Sequence, residues 1–285
     1  MNRQADQISD RDFYRLRDLI GSQCGMVLAP AKRIMLETRL GKRVRALGLD
    51  SLAAYCEFIR SPRGKKEEWP SFIDAITTHK TNFFREPAHF DFLLERALPE
   101  LLRYGAAGTR RPLRLWSAGC STGEEPYTLA IVLSGYLPSS GEPACLFRIC
   151  ATDISTAVLE TAERAVYSEE DVQPVPEELR RRCFLRSKDH CRGMVRIIPG
   201  IRALIEFRQL NLMEADYGFA DPLDVVFCRN VMIYFERSTQ ELILNRICRT
   251  LRLGGFLFMG HAESLNGLNL PLVPVAPTVY RRTDV

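Results

Sequence analysis

The 285-residue chain has no C-x-x-C pair, no H-x-x-x-H spacing and no apolar run near the roughly 20 residues that a bilayer span takes. Each absence removes a class of protein. Cysteine occurs nine times, an odd number without framework spacing, and several of these thiols lie inside apolar patterns (FRICATD, VVFCRN, NRICRTL). Reduced, buried thiols suit that placement better than disulfides do. The four histidines (His79, His89, His190, His261) lack ligand spacing, so no metal site is expected. The N-terminus, MNRQADQISDRDF, mixes acids and bases and does not read as a secretory signal. The expectation is a cytoplasmic protein without membrane insertion. Internal repeats and low-complexity tracts are missing too.

What is present is an ordinary globular composition, 46% hydrophobic and 26% charged, divided into two regions of different character. Residues 9–90 read as helices only. SDRDFYRLRDLIGSQCG opens on Ser9 as N-cap and closes between Gly21 and Gly25. Lys32 to Leu47 follows as a helix with Leu36, Leu40, Val44 and Leu47 on one stripe. SLAAYCEFIRS and EEWPSFIDAIT are two more helices, with SPRGKKEE as a loop between them. From about residue 112 strands and helices alternate: PLRLWSAG, EEPYTLAIVLSGYL, LFRICATD, then a helix capped by Ser155, IEFRQLNL, LDVVFC, a helix through STQELILNRICRTLRLGG with a glycine stop, GFLFMGHAES and PTVYRR. That rhythm predicts a mostly parallel sheet covered on both faces. Residues 168–208 interrupt it and read as a small antiparallel insertion. The fold class is therefore α/β, with an all-helical domain over 1–90, a sheet domain over 91–285 and an inserted β-subdomain within 168–208.

The turn SAGCSTG, between the first strand and its helix, faces the crevice at the strands' carboxyl ends, where open α/β sheets bind ligands. Its spacing is G-x-x-x-G (Gly119, Gly123), so the dinucleotide fingerprint G-x-G-x-x-G is absent. A pyrophosphate there would also meet Glu124 and Glu125. Acidic residues in a first helical turn complement the dipole in any protein. A ligand with a nucleoside and a cation but no phosphate would use them as well, and S-adenosylmethionine is such a molecule. The next strand favours this reading, because LFRICATD ends on Asp153, where a carboxylate can accept both ribose hydroxyls. Two further stretches point to the same crevice. In THKTNFFREPAHF, Arg85 can pair with the methionyl carboxylate or simply with a surface neighbour. In FCRNVMIYF, Arg229 and Asn230 leave an apolar strand at the crevice edge, and Tyr234 either faces the substrate or packs.

Together THKTNFFRE, SAGCSTGEEPY, ATDIS, FCRNVMIYF and GGFLFMGHAES resemble the chemotaxis-receptor methyltransferase (CheR) family, in order and over nearly the whole chain. The resemblance implies an N-terminal helical domain, a Rossmann-like methyltransferase domain with a small inserted β-subdomain, S-adenosylmethionine as donor, S-adenosylhomocysteine as product, and receptor glutamates as acceptors. Carried over by position, Thr81 and Arg85 match donor-binding residues of the T-x-F-F-R element. Glu125, beside Glu124, matches the acidic position after the glycine turn, and Asp153 the ribose ligand. Asn211 and Leu212 match the pair flanking the adenine, and Arg229 and Asn230 the pair after the fourth strand. Many members carry Asn two places before the Thr, where this chain has His79; an imidazole nitrogen can still hydrogen-bond the donor. Tyr234 and Arg229 are the candidates for bounding or orienting the acceptor. Receptor methylation helices are rich in acids, and Lys32, Arg39, Lys42, Arg43 and Arg45 would present them a positive face, with Arg39, Lys42 and Arg43 at its centre. A receptor-tail peptide could add to an edge strand of the insertion. A near-neutral sheet domain and the lack of a [DNS]-P-P-[FYW] element argue against nucleic acid. A methyltransferase of another protein or a small molecule, and a donor-binding regulator without turnover, are the competing readings.

Overall fold

In the computed structural model, which describes residues 7–104, 111–136, 147–187 and 193–284, the helical region comprises α1 (Asp10–Cys24), α2 (Arg33–Leu47), α3 (Leu52–Arg60), α4 (Pro62–Glu67) and α5 (Trp69–Ile76). Cys145, Cys191 and His190 lie outside the described residues. Ser9 caps α1 by accepting from the Asp12 N–H at 3.1 Å, and Gly25 ends it in the left-handed region. Phe13, Leu16 and Ile20 of α1 pack against Leu36 and Leu40 of α2 and Tyr55 and Ile59 of α3 in one core. Two expectations fail here. SPRGKKEE is not a loop but carries α4, because Ser61 accepts from the Gly64 N–H at 3.0 Å and Pro62 stands at the first helical position. Leu47, placed on the apolar stripe by spacing, is 38% exposed, since α2 outruns the core beneath it.

A helical segment follows, α6 (Ala88–Phe92), a π-turn over Leu93–Ala97 and α7 (Leu98–Tyr104). The sheet domain then runs β1 (Leu113–Ala118), α8 (Glu124–Tyr136), β2 (Phe147–Asp153), α9 (Thr156–Arg164), β3 (Val166–Ser168), α10 (Glu177–Cys183), β4 (Phe184–Arg186), β5 (Met194–Ile197), α11 (Pro199–Arg202), β6 (Ile205–Gln209), β7 (Leu223–Cys228), a 3-10 turn Met232–Tyr234, α12 (Arg237–Thr250), β8 (Leu251–Met259), β9 (Leu272–Ala276) and β10 (Val279–Arg282). The seven-stranded sheet has the order β6-β2-β1-β7-β8-β10-β9. Its first five strands are parallel and its last two antiparallel. Strand order reverses between β1 and β7, which opens a crevice beyond their carboxyl ends. The central strands are buried on both sides, as in LDVVFC, all six residues of which are buried and whose one acid, Asp224, is paired with Arg111.

The interruption in the rhythm is a separate three-stranded antiparallel sheet, β3-β5-β4. The glycine stop expected after LRLGG does not occur. The helix ends at Thr250 and LRLGG begins β8, paired with β7 and β10. The edge strand β9 was not anticipated; Pro274 within it fits an edge, where a missing N–H costs little.

Candidate functional site

The crevice at the reversal point is closed on its open side by the helical region. Its wall combines the ends of β1, β2 and β7 with Ile20, Cys24, Met26, Val27, Leu28 and Lys32 from the other side. The joint is hydrogen-bonded at several places. The Val27 N–H donates to Tyr234 O at 2.8 Å, Met26 bridges Phe235, and Asn211 Nδ2 donates to Gln23 O at 2.7 Å. Ser121 Oγ donates to His79 O at 2.9 Å, and Ser155 Oγ to Asp74 Oδ1 at 2.5 Å.

The glycine turn makes the floor. Gly119 has φ +74, and a Cβ there would collide with the Val231 side chain, so a residue without one is required where the two loops meet. Asp153, at the end of β2, is nearly buried. Its Oδ2 accepts from the Ser121 N–H at 2.9 Å and its Oδ1 from the Ser155 N–H at 3.0 Å. Those two bonds fix the carboxylate and leave a lone pair on each oxygen for a diol. Burial raises its carboxyl above the usual range while the two N–H groups pull it back.

Glu124 and Glu125 part company. Adjacent residues on a helix point about 100° apart. Glu125 lines the crevice, accepts from Ser117 Oγ at 2.7 Å and faces Arg229 Nη1 at 3.3 Å. Glu124 turns away: both its oxygens lie on Thr122 Oγ1, at 2.9 and 2.7 Å, and it is not part of the crevice wall. The expectation that it touches the donor is corrected accordingly. Burial raises both carboxyls, opposed at Glu125 chiefly by Arg229.

Arg229 sits in the crevice wall with its side chain 2% exposed. Nε and Nη2 donate to Glu86 Oε2 at 3.3 and 3.1 Å, Nη1 donates to Glu125 Oε2, and Nη2 also donates to the Arg85 carbonyl. Its fork is thus occupied by the chain itself, so it braces the crevice and does not offer a free cation to an acceptor. Glu86 was overlooked in the sequence. Burial works against its charge, yet Arg229 and the His261 N–H hold its carboxyl below the usual range. The motif FFRE contains it, but only the fold shows that it faces a buried arginine 143 residues away. With His89 and His261 it forms a cluster whose candidate ligand atoms all lie within 4.8 Å of one another, a grouping that linear spacing concealed.

Glu263 was overlooked as well. It is buried and accepts from the N–H groups of Asn230 at 2.8 Å, Met232 at 2.7 Å and Gly260 at 2.6 Å. It therefore shapes the turn that carries Asn230, held at φ +61, and Tyr234. A carboxylate just past the strand in GHAES was the available signal.

The remaining residues gather as follows. His79, Thr81, Arg85, Asn211, Leu212, Asn230 and Tyr234 all line the crevice. Arg85 Nη1 donates to Lys80 O at 3.1 Å. His79 Nε2 is 2.7 Å from Thr77 Oγ1, so that ring nitrogen is committed within the chain. Asn211 spends its side-chain amide on Gln23 O and Met213 N, and acts as a hinge pin of the joint. The basic face of α2 is narrower than its sequence suggests. Arg39 Nη1 donates to the carbonyls of Ala75 and Thr77, at 3.3 and 2.5 Å. Arg43 forks onto buried Glu68 at 2.7 and 2.8 Å, with Tyr55 Oη on the same carboxylate at 3.0 Å. Lys42 and Arg45 are exposed.

An open α/β sheet whose switch-point crevice carries a strand-terminal aspartate and a cation-facing carboxylate behind a glycine turn fits the S-adenosylmethionine-dependent methyltransferases. Two family models resolve the class further, matching as CheR methyltransferase, SAM binding domain, over residues 79–280 and CheR methyltransferase, all-alpha domain, over residues 11–77. The chain belongs to the CheR methyltransferase family. Chemotaxis protein methyltransferase 2 of Pseudomonas aeruginosa is 40% identical over 269 residues, covering 94% of this chain and 92% of that protein. The chemotaxis protein methyltransferases of Klebsiella aerogenes (40% identical, 97% and 91% covered) and Escherichia coli (37%, 96% and 91%) are similar over the same extent.

Proposed function

We propose that this protein transfers a methyl group from S-adenosylmethionine to glutamate side chains of chemoreceptors, leaving glutamyl methyl esters and S-adenosylhomocysteine. The observation that carries the reading is the pairing of Asp153 and Glu125 across one crevice. One carboxylate has a lone pair free on each oxygen for the ribose hydroxyls. The other, held by Ser117 and Arg229, lines the same crevice, where it would meet the donor's cationic end. Arg85 supports the same orientation by offering a fork to the methionyl carboxylate, and Leu210 and Leu212 an apolar bed beside Asn211 for the base. Thr81, Asn230 and His79 complete the wall.

When bound, the donor supplies an electrophilic methyl on a sulfonium. The acceptor, a carboxylate with an ordinary pKa near 4.3, is already ionised at neutral pH, so no residue has to act as general base. The chain's work is to align and to keep dry. Arg229, spent on Glu86 and Glu125, holds the donor-side carboxylate in place without clamping the nucleophile. Tyr234 bounds the acceptor side, fixed from behind by the Val27 N–H and through the Glu263-braced turn.

The acceptor is brought by the acidic helices of a receptor's cytoplasmic part, steered by what is exposed on α2, Lys42 and Arg45 above all. A receptor-tail peptide adds to the small sheet. In support, β4 is an outer strand with Leu185 53% exposed. Action in the cytoplasm accords with such a partner; no helix among the described residues is long and apolar enough to cross a membrane.

Incubation with methyl-labelled donor and a receptor cytoplasmic fragment tests the reading. Label that alkali releases as methanol is expected; alkali-stable label, or donor bound without transfer, would overturn it.

A further inference from the structure

Lys32 ends a 3-10 turn, Pro30–Lys32, at the foot of α2, and it belongs to the crevice wall and not to the outer face of the helix. Its Nζ stands 5.2 Å from the centroid of the Tyr234 ring. Among the described residues no carboxylate forms an ion pair with it. The chain just before it is tied to the Tyr234 turn by the Val27 N–H bond and the Met26–Phe235 bridge, so the lysine and the tyrosine are held together across the joint. The other three cations of the crevice are differently placed: Lys80 is exposed on the stretch that leads to Arg85, and the two arginines are engaged within the chain. Arg229 is saturated by Glu86, Glu125 and the Arg85 carbonyl. Arg85 is anchored to Lys80 O on the opposite, donor-binding stretch. Around Lys32 the rim is apolar, with Val27 and Ile233 respectively 39% and 51% exposed. A cation resting on an aromatic face at an exposed site gains only about 0.5–1 kcal/mol. The ring therefore positions the ammonium without satisfying it.

We infer that Lys32 is the specificity-determining residue for the acceptor: it receives the carboxylate of the entering glutamate above the Tyr234 ring and loses its hold on that group once it is esterified. The inference rests on the glutamate methyltransferase reading and deepens it. In the transfer, one carboxylate oxygen forms the bond to methyl, the carbon–sulfur bond breaks with its electron pair staying on sulfur, and no proton moves. The negative charge of the acceptor and the positive charge of the sulfonium disappear together, while Lys32 keeps its charge. An ammonium on one carboxylate oxygen leaves the other oxygen free to attack. The neutral ester cannot form the ion pair, so the contact that draws the substrate in does not retain the product. Glutamine, of the same shape but neutral, gains nothing from it either. The exposed Val27 and Ile233 give the acceptor's methylenes an apolar seat on either side.

The test uses the full chain with Lys32→Gln, Lys32→Arg and, as a control for loss of one charge elsewhere in the helical region, Lys65→Gln on exposed α4. Donor affinity is measured by calorimetry. Acceptor KM and kcat are measured with a receptor fragment carrying glutamate, and inhibition with the same fragment carrying the methyl ester or glutamine. Lys32→Gln is expected to raise acceptor KM about fivefold, the upper worth of a partly exposed ion pair. It should also bring glutamate, ester and glutamine fragments to similar affinity while donor affinity stays at the wild-type value. Lys32→Arg should restore most of the discrimination, and Lys65→Gln should keep all of it. Unchanged acceptor KM and discrimination in Lys32→Gln would overturn the proposal. So would a loss confined to donor affinity, which would place the lysine on the donor's carboxylate. If the wild type itself transfers nothing to a carboxylate, the glutamate reading fails first, and that failure appears before any substitution is made.

Discussion

Adjacent residues on α8 have opposite duties. Glu125 faces Arg229 and the crevice, and Glu124 faces Thr122. Glu125→Gln should weaken donor binding by about 1–3 kcal/mol, the value of a charged hydrogen bond. Glu124→Gln should leave donor affinity near wild type; calorimetry on the two variants checks the contrast, and equal losses would contradict it. His89 supplies a prediction in pH. Burial, then the charge of Arg229, push its imidazole down to about 4. The folded state therefore prefers the neutral ring. The unfolded chain takes up a proton as pH falls below about 6.5 and the folded chain does not until about 4, so stability is full above the upper value and declines through that window. The loss is on the order of 3 kcal/mol by pH 4. Urea midpoints measured against pH should show this decline in the wild type and a flatter curve in His89→Asn; parallel curves would contradict it. Asp153 was legible in the sequence because a strand end fixes where a side chain goes. Glu86, Arg229's principal partner, was not, because nothing local records a contact across 143 residues.

At the scale of elements, caps carried the reading and charge patterns misled it. Ser9 and Ser155, expected as caps, each mark a helix start through a side-chain bond to a backbone N–H, and Ser51, expected inside its helix, proves to cap it in the same way. Ser61 does the same for α4, but the run of charge after it suggested a loop. LRLGG has the composition of a helix end, yet Leu251 pairs with Leu223 of β7 and Phe256 with Val225, a register that only the neighbouring strand can impose. On α2 the charges looked like one solvated face. Arg43 instead neutralises buried Glu68, and Arg39 caps the end of α5 beside the residues leading to His79. Arg39→Met should therefore lower donor affinity through that stretch, whereas Lys42→Met, on the exposed side, should act on receptor methylation alone. Receptor methylation measured against donor affinity for the two variants separates them; a donor affinity untouched in Arg39→Met would return that residue to the docking face.

The molecule as a whole divides its labour at one crevice. The sheet region contributes Asp153 from the end of β2 and Glu125 from the first turn of α8, and the helical region supplies the opposite wall, including Lys32, and locks the Tyr234 turn through Val27 and Met26. The alternation of strands and helices made the first half of that arrangement legible. The second half was not, because an all-helical segment with a basic surface looks like a separate docking unit until its loops are seen to complete the cavity. The most direct measurement is peptide-level mass spectrometry of a receptor cytoplasmic fragment after incubation with the full chain and S-adenosylmethionine. The account predicts methyl groups on glutamate side chains, lost on mild alkaline treatment and markedly reduced when Glu125→Gln replaces the wild type at limiting donor. Methylation confined to nitrogen, or to residues other than glutamate, would contradict it.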